Sequence, residues 1–97
     1  MRFDWNAAKA TTNRRKHGVS FEEAITAFDD PSALLAPDPT HSTPHEQRTW
    51  LIGEGDPGVL VVVFTIREEG EVVRLISARR ANSRERKRYE ESKGLPV

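Results

Sequence analysis

Residues 59–66 read Val-Leu-Val-Val-Val-Phe-Thr-Ile, an uncharged run dominated by β-branched side chains. Such a run is too short to cross a bilayer and reads as a strand buried on both faces. It is bracketed by two turn sequences, EGDPG at 54–58 and REEG at 67–70. Short turns of this kind join antiparallel neighbours. The run therefore demands a partner strand on each side and a layer over each face. Arg48–Gly53 and Glu71–Arg79 are the expected partners. A fourth strand, Ser32–Ala36, precedes them across the Pro-, Ser- and Thr-rich loop Pro37–Gln47.

The layers come from the two ends. Arg2–Trp5 reads as a short opening strand, and Asn6 caps a helix running through Lys16 with a left-handed stop at Gly18. Asn6, Lys9, Asn13, Lys16 and His17 fall on one face of it, expected to be polar. Ser20 and Glu23 form a capping box for a second helix, whose Phe21, Ala24, Ile25 and Phe28 recur at amphipathic spacing until Asp29-Asp30-Pro31 ends it. Asn82 and Glu85 form another box, opening a last helix that runs to about Ser92 and is closed by Gly94 and Pro96. The expected order is β-α-α-β-β-β-β-α. This is an α+β fold in one domain, residues 1–97, with two N-terminal helices and one C-terminal helix on an antiparallel meander.

The formal charge balances to zero, but unevenly. Residues 1–17 hold five basic groups and one acid, residues 18–66 one and eight, and residues 67–97 nine and six. The ends are positive and the middle negative. The densest stretch, Arg79–Arg88, has six basic groups and one acid. Such a local field attracts a phosphate backbone whatever the total charge; the alternative is that the basic ends pair with the acidic middle. No cysteine is present, which excludes disulfides and thiolate chemistry. The opening residues lack the apolar run of a secretory leader, so a cytoplasmic protein without membrane contact is expected. His41 and His45, split by Pro44 with Asp38 and Glu46 nearby, make a poor metal set, and no metal or cofactor is expected.

Arg79 and Arg80 come at a strand end, just before the helix N-terminus at Asn82. Backbone N–H groups there favour an anion, and two guanidiniums strengthen the site. The competing expectation pairs one of them with Asp29, Asp30 or another acid of the acidic middle segment. On a regular strand, Arg74 and Arg79 point to opposite faces. Arg84, Lys87 and Arg88 form one basic edge of the last helix. His17 is a candidate acid or base, or a group complementing the helix dipole. Tyr89, among arginines, is able to stack on a base.

The segments FDWNAAKATTNRRKHGVSFEEA, DDP, VLVVVFT and RLISARRANSRERKRYE together resemble the BrnT family of bacterial toxins, over nearly the whole chain. The resemblance implies a RelE-like fold and a ribonuclease that arrests translation. It also implies neutralisation by a BrnA-type antitoxin with a ribbon-helix-helix DNA-binding part, and operator DNA bound through the complex. Lys16, His17, Arg79, Arg80, Glu85 and Arg86 occupy motif positions, as do Trp5, Asn6, Gly18 and Phe21, whose expected roles are in folding. The site expectation follows: Arg79 and Arg80 on the scissile phosphate, and His17 or Glu85 as base. Lys9, Lys16, Arg84, Arg88 and Tyr89 would contact RNA, and no metal would take part. Two other readings stay open. One is a non-enzymatic corepressor subunit whose acidic Glu22, Glu23, Asp29 and Asp30 receive a basic antitoxin segment. The other is a general RNA-binding domain.

Overall fold

A computed structural model describes residues 1–94. The elements follow the expected order: β1 (Arg2–Asp4), α1 (Ala7–His17), α2 (Phe21–Thr26), β2 (Leu34–Pro37), β3 (Arg48–Gly55), β4 (Gly58–Arg67), β5 (Val72–Arg80) and α3 (Ser83–Lys93). Local sequence sets the helix ends. The Asn6 side chain accepts from the Lys9 N–H, and Gly18 takes a left-handed φ of 70° after α1. Both capping boxes are complete, Ser20 with Glu23 and Asn82 with Glu85. The second helix is shorter than its apolar spacing suggests, tightening into a 3₁₀ turn at Ala27–Asp29. β2 also starts later than expected, because the Asp30 carboxylate holds the Ser32 N–H and ties residues 30–33 into a turn. Gly94 follows α3, with its N–H on the Glu90 carbonyl; Pro96 lies outside the described residues. Among the described residues no helix is long and apolar enough to cross a membrane.

The sheet is mixed, not antiparallel throughout. Its order is β1-β5-β4-β3-β2. β2 to β5 pair antiparallel in succession, but β1 joins the far edge of β5 in parallel. No tight hairpin constrains β1, so it can enter in either direction. Beyond the three-residue β1, α1 takes over the β5 edge. There Asn13 substitutes for a strand: its amide donates to the Ala78 carbonyl at 2.9 Å and accepts from the Ala78 N–H at 3.0 Å. It also donates to the Val19 carbonyl. Asn13 is therefore buried, so the polar stripe of α1 is not exposed along its whole length.

β4 is covered on both faces along its middle, Leu60 to Thr65, whereas Ile66 and Arg67 at its end are exposed. One side packs under α2, where Leu60, Val62, Leu75 and Ala78 meet Val19, Phe21, Ala24 and Ala27. Phe3, Phe28 and Phe64 stack edge to face in a row, with centroids 5.0 and 5.1 Å apart. The 3₁₀ turn sits directly on β3, since a Cβ on Gly53 would lie 2.9 Å from the Ala27 carbonyl oxygen. On the opposite side Ile52, Val61 and Ala81 meet Tyr89 of α3, with Trp50 and Val59 at the margin. α3 covers only one end of that face.

Candidate nucleic-acid interface

A β-bulge in β5 decides what the uncovered half of the α3 face carries. Val63 pairs with Ser77 but Phe64 pairs with Leu75, so Ile76 is the extra residue. The bulge resets the alternation. Leu75 and Ala78 both reach the α2 core. Arg74, Ser77 and Arg79 all turn to the other face, opposite Thr65, Val63 and Val61 of β4. The expectation that Arg74 and Arg79 oppose each other fails for this reason.

Three clefts run together across this surface. The first, about 300 Å³, lies between α1 and the bulge and is lined by Lys9, Thr12, Lys16, His17, Ile76 and Ser77 among others. A narrow one shares Lys9 and Ile76 with it and adds Arg48, Thr65, Arg67, Arg74 and Glu46. The third, about 420 Å³, shares Glu46, Thr65 and Arg67 and ends at His45. The track thus carries Lys9, Lys16, Arg48, Arg67 and Arg74 against one acid, Glu46. Glu46 lies between two guanidiniums, taking Arg48 Nε on one oxygen and Arg67 on the other, each at 2.9 Å. Its carboxyl is held below the ordinary glutamate value, chiefly by the Arg48 hydrogen bond. Arg74 reaches Asp4 at 3.5 Å. Lys9, Lys16 and His17 are exposed along α1. The Thr65 hydroxyl is buried and bonded to the Gln47 carbonyl.

The structure separates the two arginines at the end of β5. Arg79 forks onto Glu85, with Nη1 to Oε1 at 2.7 Å and Nη2 to Oε2 at 2.8 Å. The expected acid partner is therefore not Asp29 or Asp30 but the capping residue of α3. Glu85 also accepts the Asn82 N–H, so its carboxylate is surrounded by donors. The Arg79 bonds, against partial burial, hold its carboxyl below the ordinary range, and the same bonds raise Arg79. Arg80 faces the opposite way, opposite Leu60, and donates to the Pro57 carbonyl. The two do not converge on one phosphate.

On α3, Tyr89 is 1% exposed and donates its hydroxyl to Asp30. Burial first, then that bond, pushes its pKa up. The ring belongs to the core and is not available to stack on a base. Arg88 lies over Trp50, 5.6 Å from the ring centroid, and Arg84 is exposed on the helix surface. In the 37–47 loop His41 binds Asp38 at 2.7 Å. No cluster of three metal-ligating side chains occurs among the described residues.

Residues 5–85 match the family described as ribonuclease toxin, BrnT, of type II toxin-antitoxin system. The chain belongs to this family. No curated protein matches it. The BrnT match takes in β1's exit, both N-terminal helices, the whole of β2 to β5 and the α3 capping box, so Lys9, Lys16, His17, Arg79, Arg80, Arg84 and Glu85 lie within it. Arg86, Arg88 and Tyr89 lie beyond it. Arg48, Arg67, Arg74, Glu46 and Ser77, which line or border the track, are not among the site residues expected from the sequence. Arg48 and Arg67 carry a faint signal, one at each end of antiparallel neighbours, but only the register places them together.

Proposed function

We propose that residues 1–97 form one RelE-like toxin domain acting as a metal-independent endoribonuclease, with single-stranded RNA lying along the basic track. The supporting observation is the continuity of the three clefts, with His17 beside the bulge at one end. His17 takes the proton of the 2′-hydroxyl; the 2′-oxygen attacks phosphorus, the P–O5′ bond breaks, and the 5′-oxygen takes a proton from water. Lys16, close to Ser77, and Arg79, two residues further along the same face, supply positive charge to the phosphorane. Glu85 serves as the clamp that aims Arg79; its oxygens are too fully bonded for a base. Lys9, Arg48, Arg67 and Arg74 hold the flanking backbone. A BrnA-type antitoxin with a ribbon-helix-helix part neutralises the toxin and carries the complex to operator DNA.

Purified protein in excess EDTA should cut RNA to leave 2′,3′-cyclic phosphate and 5′-hydroxyl ends. His17→Ala should lower the rate by about 10²-fold or more, with Lys87→Ala, on the exposed face of α3, unchanged. Cleavage abolished by EDTA sinks the metal-independent assignment, and full activity in His17→Ala sinks the role of the imidazole. A folded, inactive wild-type protein favours the corepressor reading.

A further inference from the structure

The face of the sheet opposite the basic track is also only half covered. α2 and the 3₁₀ turn pack over one end of it. At the other end lies an open, mainly apolar cleft of about 660 Å³. Its lining includes side chains from all five strands, Phe3, Leu35, Leu51, Phe64, Ile66 and Val73, with Phe28 as its wall. Met1, Leu35 and Ile66 are the large hydrophobic residues that stand exposed among the described residues, at 82%, 63% and 45%. All three line this cleft. Concentrating the exposed apolar side chains in one furrow marks an interaction site rather than scattered surface hydrophobicity.

Its charge is one-sided. Asp29 and Asp30 line the rim and no Lys or Arg does. Asp29 is exposed, whereas Asp30 is already committed to Tyr89 and to the Glu54 and Ser32 N–H groups. The furrow crosses the strands instead of running along an edge, so it offers side chains and not backbone donors. That favours a helix over an added strand. Five strands about 4.8 Å apart span about 19 Å, which is the length of a helix of about 13 residues.

We propose that this furrow is the docking site for an amphipathic helix of the antitoxin, with an apolar stripe against Leu35 and Ile66 and a basic residue opposite Asp29. The proposal rests on the family's antitoxin partner and adds where it grips. The grip lies on the far side of the sheet from the RNA track, so holding the toxin and blocking its cleft are separable acts.

The test titrates the full chain with the purified product of the adjoining reading frame, by calorimetry. Leu35→Glu and Ile66→Glu should each weaken binding at least tenfold, while Lys87→Glu on α3 binds as wild type. RNA cleavage by Leu35→Glu should equal wild type; Ile66 also borders the third cleft of the track, so Ile66→Glu is read by antitoxin binding alone. If either glutamate variant loses its thermal transition, Leu35→Ser and Ile66→Ser replace them, with a smaller loss expected. Unchanged binding by the cleft variants overturns the docking site and leaves the toxin reading standing. Absence of binding by wild type overturns the partner reading and the proposal with it. If instead the chain alone dimerises in sedimentation and Ile66→Glu makes it monomeric, the occupant is a second copy and the antitoxin assignment falls.

Discussion

Asn13 shows how much one side chain can carry in a small sheet. β1 is only three residues long, so β5 would otherwise leave a backbone donor and acceptor at Ala78 facing α1 without partners. The carboxamide supplies both, and spends its remaining hydrogen on Val19 at the helix-to-helix turn. From the sequence it looks like any polar residue on a charged helix, because the demand it meets lies 65 residues away. Asn13→Ala should cost about 3 kcal/mol, since it strands three buried backbone groups, the Ala78 N–H and the Ala78 and Val19 carbonyls. A urea titration measures this directly. A loss under ~1 kcal/mol would mean that water or a shifted α1 can satisfy Ala78 equally well. Tyr89 teaches the converse. Its basic neighbours suggested a nucleic-acid surface, yet a large ring at i, i+4 from Glu85 is also what a poorly apolar helix needs as its single anchor.

The elements were legible where their signals are local. Both capping boxes, the Asn6 cap, the Gly18 stop and the doubly covered middle of β4 follow from residues within a few positions of one another. The bulge at Ile76 and the parallel entry of β1 do not, because each depends on which strand lies alongside. The same limit hid the track: regular alternation sets Arg74 and Arg79 on opposite faces, and the bulge between them brings Ser77 and Arg79 round to the face of Arg74. One local feature runs against its own sequence. The β4–β5 turn places Glu68 at φ 52° and Glu69 at φ 57°, left-handed positions that suit Asn and Gly. The Gly70 N–H closes the turn on the Arg67 carbonyl. Replacing Glu68-Glu69 with Asn-Gly should stabilise the protein by about 1 kcal/mol or more, although the exposed Arg2–Glu68 ion pair is lost. Thermal melts of the double variant check it, and a lowered midpoint would mean that the ion pair outweighs the backbone strain.

At the scale of the whole molecule, the two faces of the sheet differ in chemistry, one basic and the other apolar with an acidic rim. The acidic middle of the chain supplies the rim of the apolar furrow, while α1, the ends of β3 and β4, and β5 bring basic groups to the other side. The zero net charge therefore says little about RNA binding, since what matters is the field over one face. Salt dependence measures that field. Each phosphate neutralised on single-stranded RNA contributes about 0.7 to the slope of log K against log salt. Six contacts, from Lys9, Lys16, Arg48, Arg67, Arg74 and Arg79, give a slope of about −4. The double variant Arg67→Gln, Arg74→Gln should reduce its magnitude by about 1.4 and weaken binding at low salt. Lys87→Gln, which removes the same kind of charge from the solvated side of α3, should leave the slope unchanged. Glu46→Gln should strengthen binding, because the acid it removes competes with phosphate for Arg48 and Arg67. If Lys87→Gln changes the slope as much as the Arg67, Arg74 pair does, the RNA follows α3 and the Arg84–Arg88 edge is the better description of the interface.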